Sequence, residues 1–339
     1  MRIDRRSFLA LAGATSVSTL LPFQAASRSA AAATPDAIEL IVPAGAASRT
    51  GIAGQLVAAA LERELGHPVK IVNIQQPGQG YEMLAAAPPD GRTLGLVAAD
   101  LVSLNAGGTS LVGPGDVTPL GLLNEDPAGI HVRNDAPWRH ASAVIDAARS
   151  NGGTLKASGA GRKAIWHVSI ERWAMASGLG AENVDWQSSR NASVAAQNLV
   201  VGNTDVVVCS VPEIRMAPSV AGIKTLAIMG RSRHPRYPGI PTLKEQGLAL
   251  RAGLWRGVAA PPGLPAPIAR KLTASLRNIA SAGAFKRPML RRGFGLAFAD
   301  GAEFADYIAE EQAAYEVAMA AIGTGPYEGP KMRRPSSPP

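Results

Sequence analysis

Short runs of aliphatic and β-branched residues alternate with helix-period patterns along most of this chain, and no other feature constrains its fold as tightly. A strand, a covering helix and a following strand, repeated, build a largely parallel sheet with helices on its faces, so the chain reads as α/β. Ile38-Glu39-Leu40-Ile41-Val42 reads as the first buried strand, stopped by Pro43-Ala44-Gly45. A helix follows with Ile52, Leu56, Val57, Leu61 and Leu65 on one face, ended by Gly66 and Pro68. Val69-Lys70-Ile71-Val72 is the next strand, Gln76–Gly80 a turn, Tyr81–Ala87 a short helix, and Thr93–Val97 a third strand. The theme returns with strands at Thr154–Ala157, Asn183–Trp186, Asp205–Cys209 and Thr225–Met229, and with helices near 164–177 and 192–201. Two long helices close the chain, the first opened by Pro265 and Pro267, the second carrying Phe304, Ile308, Tyr315, Met319 and Ile322 on one face.

Charge is the feature most open to misreading. The 339 residues carry a net +8, which resembles a nucleic-acid binder. Residues 1–33, however, read as an export signal: Arg2, Arg5 and Arg6 precede an apolar run from Phe8 to Phe23, and small residues continue to Ala33. That run has 16 residues, and a spanning helix needs about 20. Asp4-Arg5-Arg6-Ser7-Phe8-Leu9 resembles the twin-arginine export motif, which places the mature chain in the periplasm. Residues 327–339 lack apolar periodicity and read as a disordered tail holding Lys331, Arg333 and Arg334. What remains between them carries about +3, with no block of like charge and no basic stripe interleaved with aromatics. Nucleic acid is therefore not an expected partner. The one cysteine, Cys209, excludes an internal disulfide, and five scattered histidines show no metal-ligand spacing, so neither a metal nor a cofactor is expected.

In such sheets ligands gather at the carboxyl ends of strands, where free backbone N–H groups and helix dipoles attract anions. Three loops of small residues occupy those places: Gly45–Gly51 with Ser48, Arg49 and Thr50; Ala98-Ala99-Asp100; and Ser158-Gly159-Ala160-Gly161-Arg162. Small residues let a ligand approach the backbone, although the same residues also make tight strand-to-helix turns with no ligand at all. Arg49 and Arg162 each present a fork suited to a carboxylate. The 158–161 loop is neither a Walker A motif nor G-x-G-x-x-G, since Ala164 stands at the third glycine. No G-x-S-x-G elbow exists, Cys209 ends an apolar strand, and His167 beside Trp166 reads as packing or capping. Asp100 suits either recognition of an ammonium group or a helix cap.

Several stretches together resemble the extracytoplasmic solute receptors of tripartite tricarboxylate transporters, the Bug family. Ile41-Val42-Pro43-Ala44 leading to Thr50-Gly51 is similar to the family's first strand and loop, and Pro88-Pro89-Asp90-Gly91-Arg92-Thr93-Leu94 to its Ala-Pro-Asp-Gly-Tyr-Thr-Leu. Arg233–Gly247, with Pro238-Gly239-Ile240-Pro241-Thr242, and Trp255-Arg256-Gly257 through Pro261-Pro262-Gly263-Leu264-Pro265 continue the resemblance in the family's order. The resemblance implies a type II periplasmic-binding-protein fold: two α/β domains, residues 34–125 with 230–326 and residues 126–229, hinged around a ligand cleft.

It further implies a non-enzymatic, monomeric receptor that closes on a small organic acid, a di- or tricarboxylate or an acidic amino acid, and delivers it to separate membrane subunits. Arg49 and Arg162 would be the charge partners and the backbones of Ser48–Thr50 and Gly159–Gly161 the anion cradles. Ala99 and Ser158 complete the loops, and Asp100, Ser189, Arg190 and Ser210 would supply further polar contacts. The chain departs from the pattern where Ala46-Ala47-Ser48-Arg49 replaces glycines, where Gly51 replaces an aspartate, and where Gln187-Ser188-Ser189-Arg190-Asn191 replaces Val-Pro-Tyr-Lys-Gly. The added arginine points to a more anionic or smaller ligand. A sensor that signals rather than transports, or an enzyme on the same fold, are the alternatives.

Overall fold

The computed structural model describes residues 37–150 and 152–323. The export segment 1–33 and the tail 327–339 lie outside the described residues.

In chain order, β1 (Ile38–Val42) leads to α1 (Arg49–Leu65), β2 (Val69–Asn73), α2 (Pro77–Ala86), β3 (Thr93–Ala98) and α3 (Asp100–Ala106). Then come β4 (Thr118–Arg133), α4 (Ala141–Ser150), β5 (Leu155–Ser158), α5 (Ile165–Ala176), β6 (Val184–Gln187), α6 (Ala192–Val200), β7 (Val206–Ser210), α7 (Val211–Arg215) and β8 (Ile223–Ile228). The chain returns through β9 (Gly253–Ala260), α8 (Ala266–Ser281), α9 (Gly283–Arg291), β10 (Ala299–Asp300) and α10 (Gly301–Ala321). The sheet order is β2-β1-β3-β9-β4-β7-β5-β6, with β8 and β10 also paired to β4. Strands β1, β2 and β3 are mutually parallel, as are β5, β6 and β7, but β9 and β4 run antiparallel to their neighbours. The expected largely parallel sheet is therefore mixed.

The 16-residue β4 organises the molecule. Its first part pairs with β9 as far as Pro127, and from Ala128 onward it pairs with β7 and β8. Sequence patterning does not reveal it, because Pro119, Pro127 and the polar run Asn124-Glu125-Asp126 interrupt the apolar signal. The strand absorbs them through two register shifts against β9. Helix α2 likewise begins at Pro77, inside the expected turn, because proline at a first helical position has no N–H to leave unbonded.

Alternation along the strands divides the core. Leu40, Val42, Leu94, Leu96, Val258 and Ala260 face α1, α8 and α9, whereas Ile41, Val97 and Ala259 face α2, α3 and α10. A third core beyond the crossing unites Ala128, Ile130 and Val132 with Trp173, Trp186, Leu199 and Val206–Cys209. Arg172 of α5 joins the two sides, donating to Glu311 of α10 at 3.1 Å and to the Arg251 carbonyl at 2.8 Å. Strands β1, β3, β5 and β7 all end at loops that feed helix N-termini, and those loops carry the candidate site.

Candidate functional site

At the end of β1 the hydroxyl of Ser48 accepts the Gly51 N–H at 3.0 Å and caps α1. A Cβ on residue 51 would lie 2.2 Å from the Gly45 carbonyl, so glycine stands there because the loop folds directly onto the helix start. Ser48 is thus used by its own helix. Thr50 is half-buried, and its Oγ1 accepts from Arg256 Nε at 3.1 Å. The end of β3 places Ala99 in the core and Asp100 at the start of α3. The Tyr81 hydroxyl donates to Asp100 Oδ1 at 2.6 Å and accepts the Ala98 N–H at 3.3 Å. Burial holds the Asp100 carboxyl above its ordinary pKa, against the lowering effect of the Tyr81 hydrogen bond.

The loop after β5 is tightly determined. A Cβ on Gly159 would meet the Val208 carbonyl at 2.5 Å and the Trp186 ring at 2.7 Å, so only glycine lets the chain pass. Lys163 adopts φ +65, a left-handed conformation costly for a side chain of this size. His167 holds it there: Lys163 N–H donates to Nδ1 at 2.9 Å, which places the ring proton on Nε2, 3.2 Å from Glu171 Oε1. The imidazole stacks on Trp186 with centroids 4.7 Å apart. His167 is therefore a buried tether for the loop. Ser158 and Ser189 share a hydroxyl contact at 2.8 Å, and Ser158 also donates to the Gln187 carbonyl at 2.7 Å.

Thr50, Asp100, Arg162 and Lys163 converge on one cavity of about 470 Å³, with Ser103 and Thr109 adding hydroxyls and Leu254 and Met319 an apolar wall. Arg162 is exposed and reaches back to the Trp186 carbonyl at 3.4 Å. Gly161 is exposed, Ala160 half-buried, and the Ala160 carbonyl accepts the Ser189 N–H at 3.3 Å. Arg49 lines a different cavity, stacked 4.4 Å above the Phe294 ring centroid. Arg190 is exposed and lines neither cavity. Ser210 caps α7, its N–H and hydroxyl donating to Glu213 Oε2 at 3.1 and 2.9 Å. Burial raises the Glu213 carboxyl and pushes the Cys209 thiol well above its ordinary pKa.

Between the two cavities lies a buried network that sequence reasoning missed. Arg256 Nη1 donates to Asp126 Oδ2 at 3.0 Å and to Asn124 Oδ1, while Asn124 Nδ2 donates to the Gly295 carbonyl at 2.6 Å. The Gly295 N–H donates to Asp126 Oδ1 at 2.8 Å, and Arg49 approaches Asp126 Oδ2 at 3.5 Å. Burial alone would raise the Asp126 carboxyl, but Arg256 and Arg49 outweigh it and hold the group below its ordinary pKa. The available signal was Arg256 itself, an arginine set between Trp255 and Gly257 in an otherwise apolar strand. Among the described residues, no group of three or more His, Cys, Asp or Glu could hold a metal ion, and no helix is long and apolar enough to cross a membrane.

Known proteins share this fold. A TctC solute-binding protein from Polaromonas superposes with a TM-score of 0.76 at 29% identity, over 84% of this chain and 97% of that one. MatC from Rhodopseudomonas palustris, with bound malate, gives 0.61 at 23% identity, over 83% and 98%. A UPF0065 protein of Cupriavidus necator is 24% identical over 91% of this chain and 94% of its own length. The model of the tripartite tricarboxylate transporter family receptor matches residues 52–323, and the chain belongs to that receptor family.

Proposed function

We propose that this protein is a periplasmic receptor that captures a small organic carboxylate in the cavity at the ends of β1, β3 and β5. The observation that carries the reading is the convergence of Thr50, Asp100, Arg162 and Lys163 on one space of about 470 Å³, within the range usual for small-molecule sites. Two cationic side chains, three hydroxyls and a carboxyl suit a di- or tricarboxylate: Arg162 and Lys163 face its charge, and Thr50, Ser103 and Thr109 orient it. Asp100, whose carboxyl is raised above its ordinary pKa by burial, adds a polar group to the same wall.

Closure would bring residues 126–229 against 34–125 and 230–326, bending where β4 passes from β9 to β7 and β8 at Pro127–Ala128. The malate held by MatC favours this ligand class. Export through the twin-arginine pathway and delivery to separate membrane subunits complete the proposal. In this reading no bond is made or broken, and Cys209, sealed in the core with its thiol pKa raised by burial, is no nucleophile.

A thermal-shift screen of mono-, di- and tricarboxylates and acidic amino acids tests the reading. A true ligand at about 100 times its Kd adds about 2.7 kcal/mol. Stabilisation by amines or sugars but by no carboxylate would overturn it.

A further inference from the structure

The second cavity, of about 510 Å³, is lined by five arginines: Arg49, Arg215, Arg236, Arg291 and Arg292, with Phe294 among its apolar residues. Among the described residues, no Asp or Glu lines it. Two of the five have structural work at the C-terminal end of α9. Arg236 Nη1 donates to the Leu290 and Arg291 carbonyls at 3.0 and 2.9 Å, and Arg49 reaches the Arg292 and Gly293 carbonyls at 3.5 and 3.4 Å. The guanidinium groups of Arg215, Arg291 and Arg292 make no hydrogen bond or ion pair among the described residues, and all three are exposed.

The two nearest acids already have hydrogen-bond partners and do not line the cavity. Asp126 is shared between Arg256 and Arg49 and also accepts the Gly295 N–H. Glu213 accepts from Ser210 and is raised by burial. Behind Arg49, the buried Nη2 of Arg256 has no acceptor among the described residues, and Arg256 and Arg49 share the one Asp126 carboxylate. A concave surface of one sign concentrates its field and attracts counter-charge. Phe294, beneath Arg49 and Arg256 at 4.4 and 5.4 Å, supplies a flat apolar floor.

We propose that this cavity is a second anion site, taking a small polyanion with at least three negative charges, one for each unpartnered arginine. Polycarboxylates and polyphosphates share that chemistry, and both match the arginine fork in two-pronged hydrogen bonds. The site is separate from the carboxylate cavity, because Arg162 and Lys163 do not line it.

Calorimetric titration of the full chain with citrate and, separately, with inorganic tripolyphosphate tests the proposal against three proteins: wild type, Arg215→Ala/Arg292→Ala and Arg162→Ala. At least one probe shows a binding event in the wild type whose affinity falls at least tenfold in the double variant and holds within twofold in Arg162→Ala; a separate citrate event lost in Arg162→Ala belongs to the carboxylate cavity. Preference for citrate or for tripolyphosphate identifies which source the site serves. The two guanidinium groups removed are exposed and make no hydrogen bond or ion pair among the described residues, so the double variant should melt with the wild type, and its binding loss reads the site. Failure of both probes to bind the wild type, or a loss that follows Arg162→Ala while the double variant keeps its affinity, overturns the proposal.

Discussion

Arg256 and Asp126 form an ion pair sealed from solvent where β9 meets β4, with Nη1 3.0 Å from Oδ2 and each side chain 1% exposed. Such a pair adds little net stability over an apolar substitute, yet removing one partner strands a charge in the interior. Asp126→Ala leaves Arg256 and Arg49 without their shared carboxylate and should destabilise the fold by about 3–5 kcal/mol in urea unfolding. Because the folded carboxyl lies below its ordinary value of 3.8, its contribution is present above that pH and disappears as pH falls through the lower folded value. A variant as stable as the wild type at pH 7 would remove Asp126 from this role.

His131 acts in the same direction, in a higher pH window. Its Nε2 donates to the Cys209 carbonyl at 3.0 Å, so Nδ1 accepts from Thr225 Oγ1 at 2.9 Å and the ring is neutral. Burial lowers its pKa from 6.5 to about 4, which makes protonation favour the unfolded chain. Stability is complete above pH 6.5 and should fall by roughly 3 kcal/mol between there and pH 4. His131→Gln should flatten that stretch of the stability profile, whatever its effect at pH 7. An unchanged slope would assign the acid sensitivity elsewhere.

Asp100 is held above its ordinary pKa by burial, so at neutral pH its ionised form opposes folding. Asparagine keeps an acceptor for the Tyr81 hydroxyl and has no charge to desolvate. Asp100→Asn should therefore melt above the wild type at pH 8, with the gap closing as pH is lowered toward 3.8. A variant that melts lower at pH 8 would show that ionised Asp100 stabilises the start of α3.

Gly159→Ala sets a methyl 2.5 Å from the Val208 carbonyl and 2.7 Å from Trp186. Neither neighbour has room to yield, since Val208 is in a central strand and Trp186 packs in the core beneath His167. The expected loss is about 1–3 kcal/mol, together with weaker ligand binding because the loop that carries Arg162 must shift. Wild-type stability by calorimetry would mean that the loop relaxes freely.

Arg162 and Arg190 separate the cavity from the rest of the loop region. Arg162→Ala should weaken the best carboxylate from the thermal-shift screen at least tenfold, whereas Arg190→Ala, exposed and off both cavities, should leave it within twofold. His167→Ala should act like a milder Arg162→Ala, because the Lys163 N–H loses its acceptor. Equal losses at positions 162 and 190 would place the ligand across a wider surface than the cavity.

The sequence by itself determined the α/β class, most strands and helices, the family, and the loops at the strand ends, because these rest on local signals: alternation, caps, and glycines at close backbone approaches. Gly51 and Gly159 are legible in this way once their neighbours are known. Only the tertiary structure decided which loop residues meet. Arg49 and Arg162, both read as partners of one anion, line separate cavities, because α1 turns Arg49 toward Phe294 and α9 while Thr50, the next residue, faces Asp100 and Arg162. Strand β4 and the Asn124–Asp126–Arg256 network were hidden for the same reason. Their polar residues and prolines weaken every local pattern, and their partners Gly295, Arg49 and Thr50 come from distant parts of the chain.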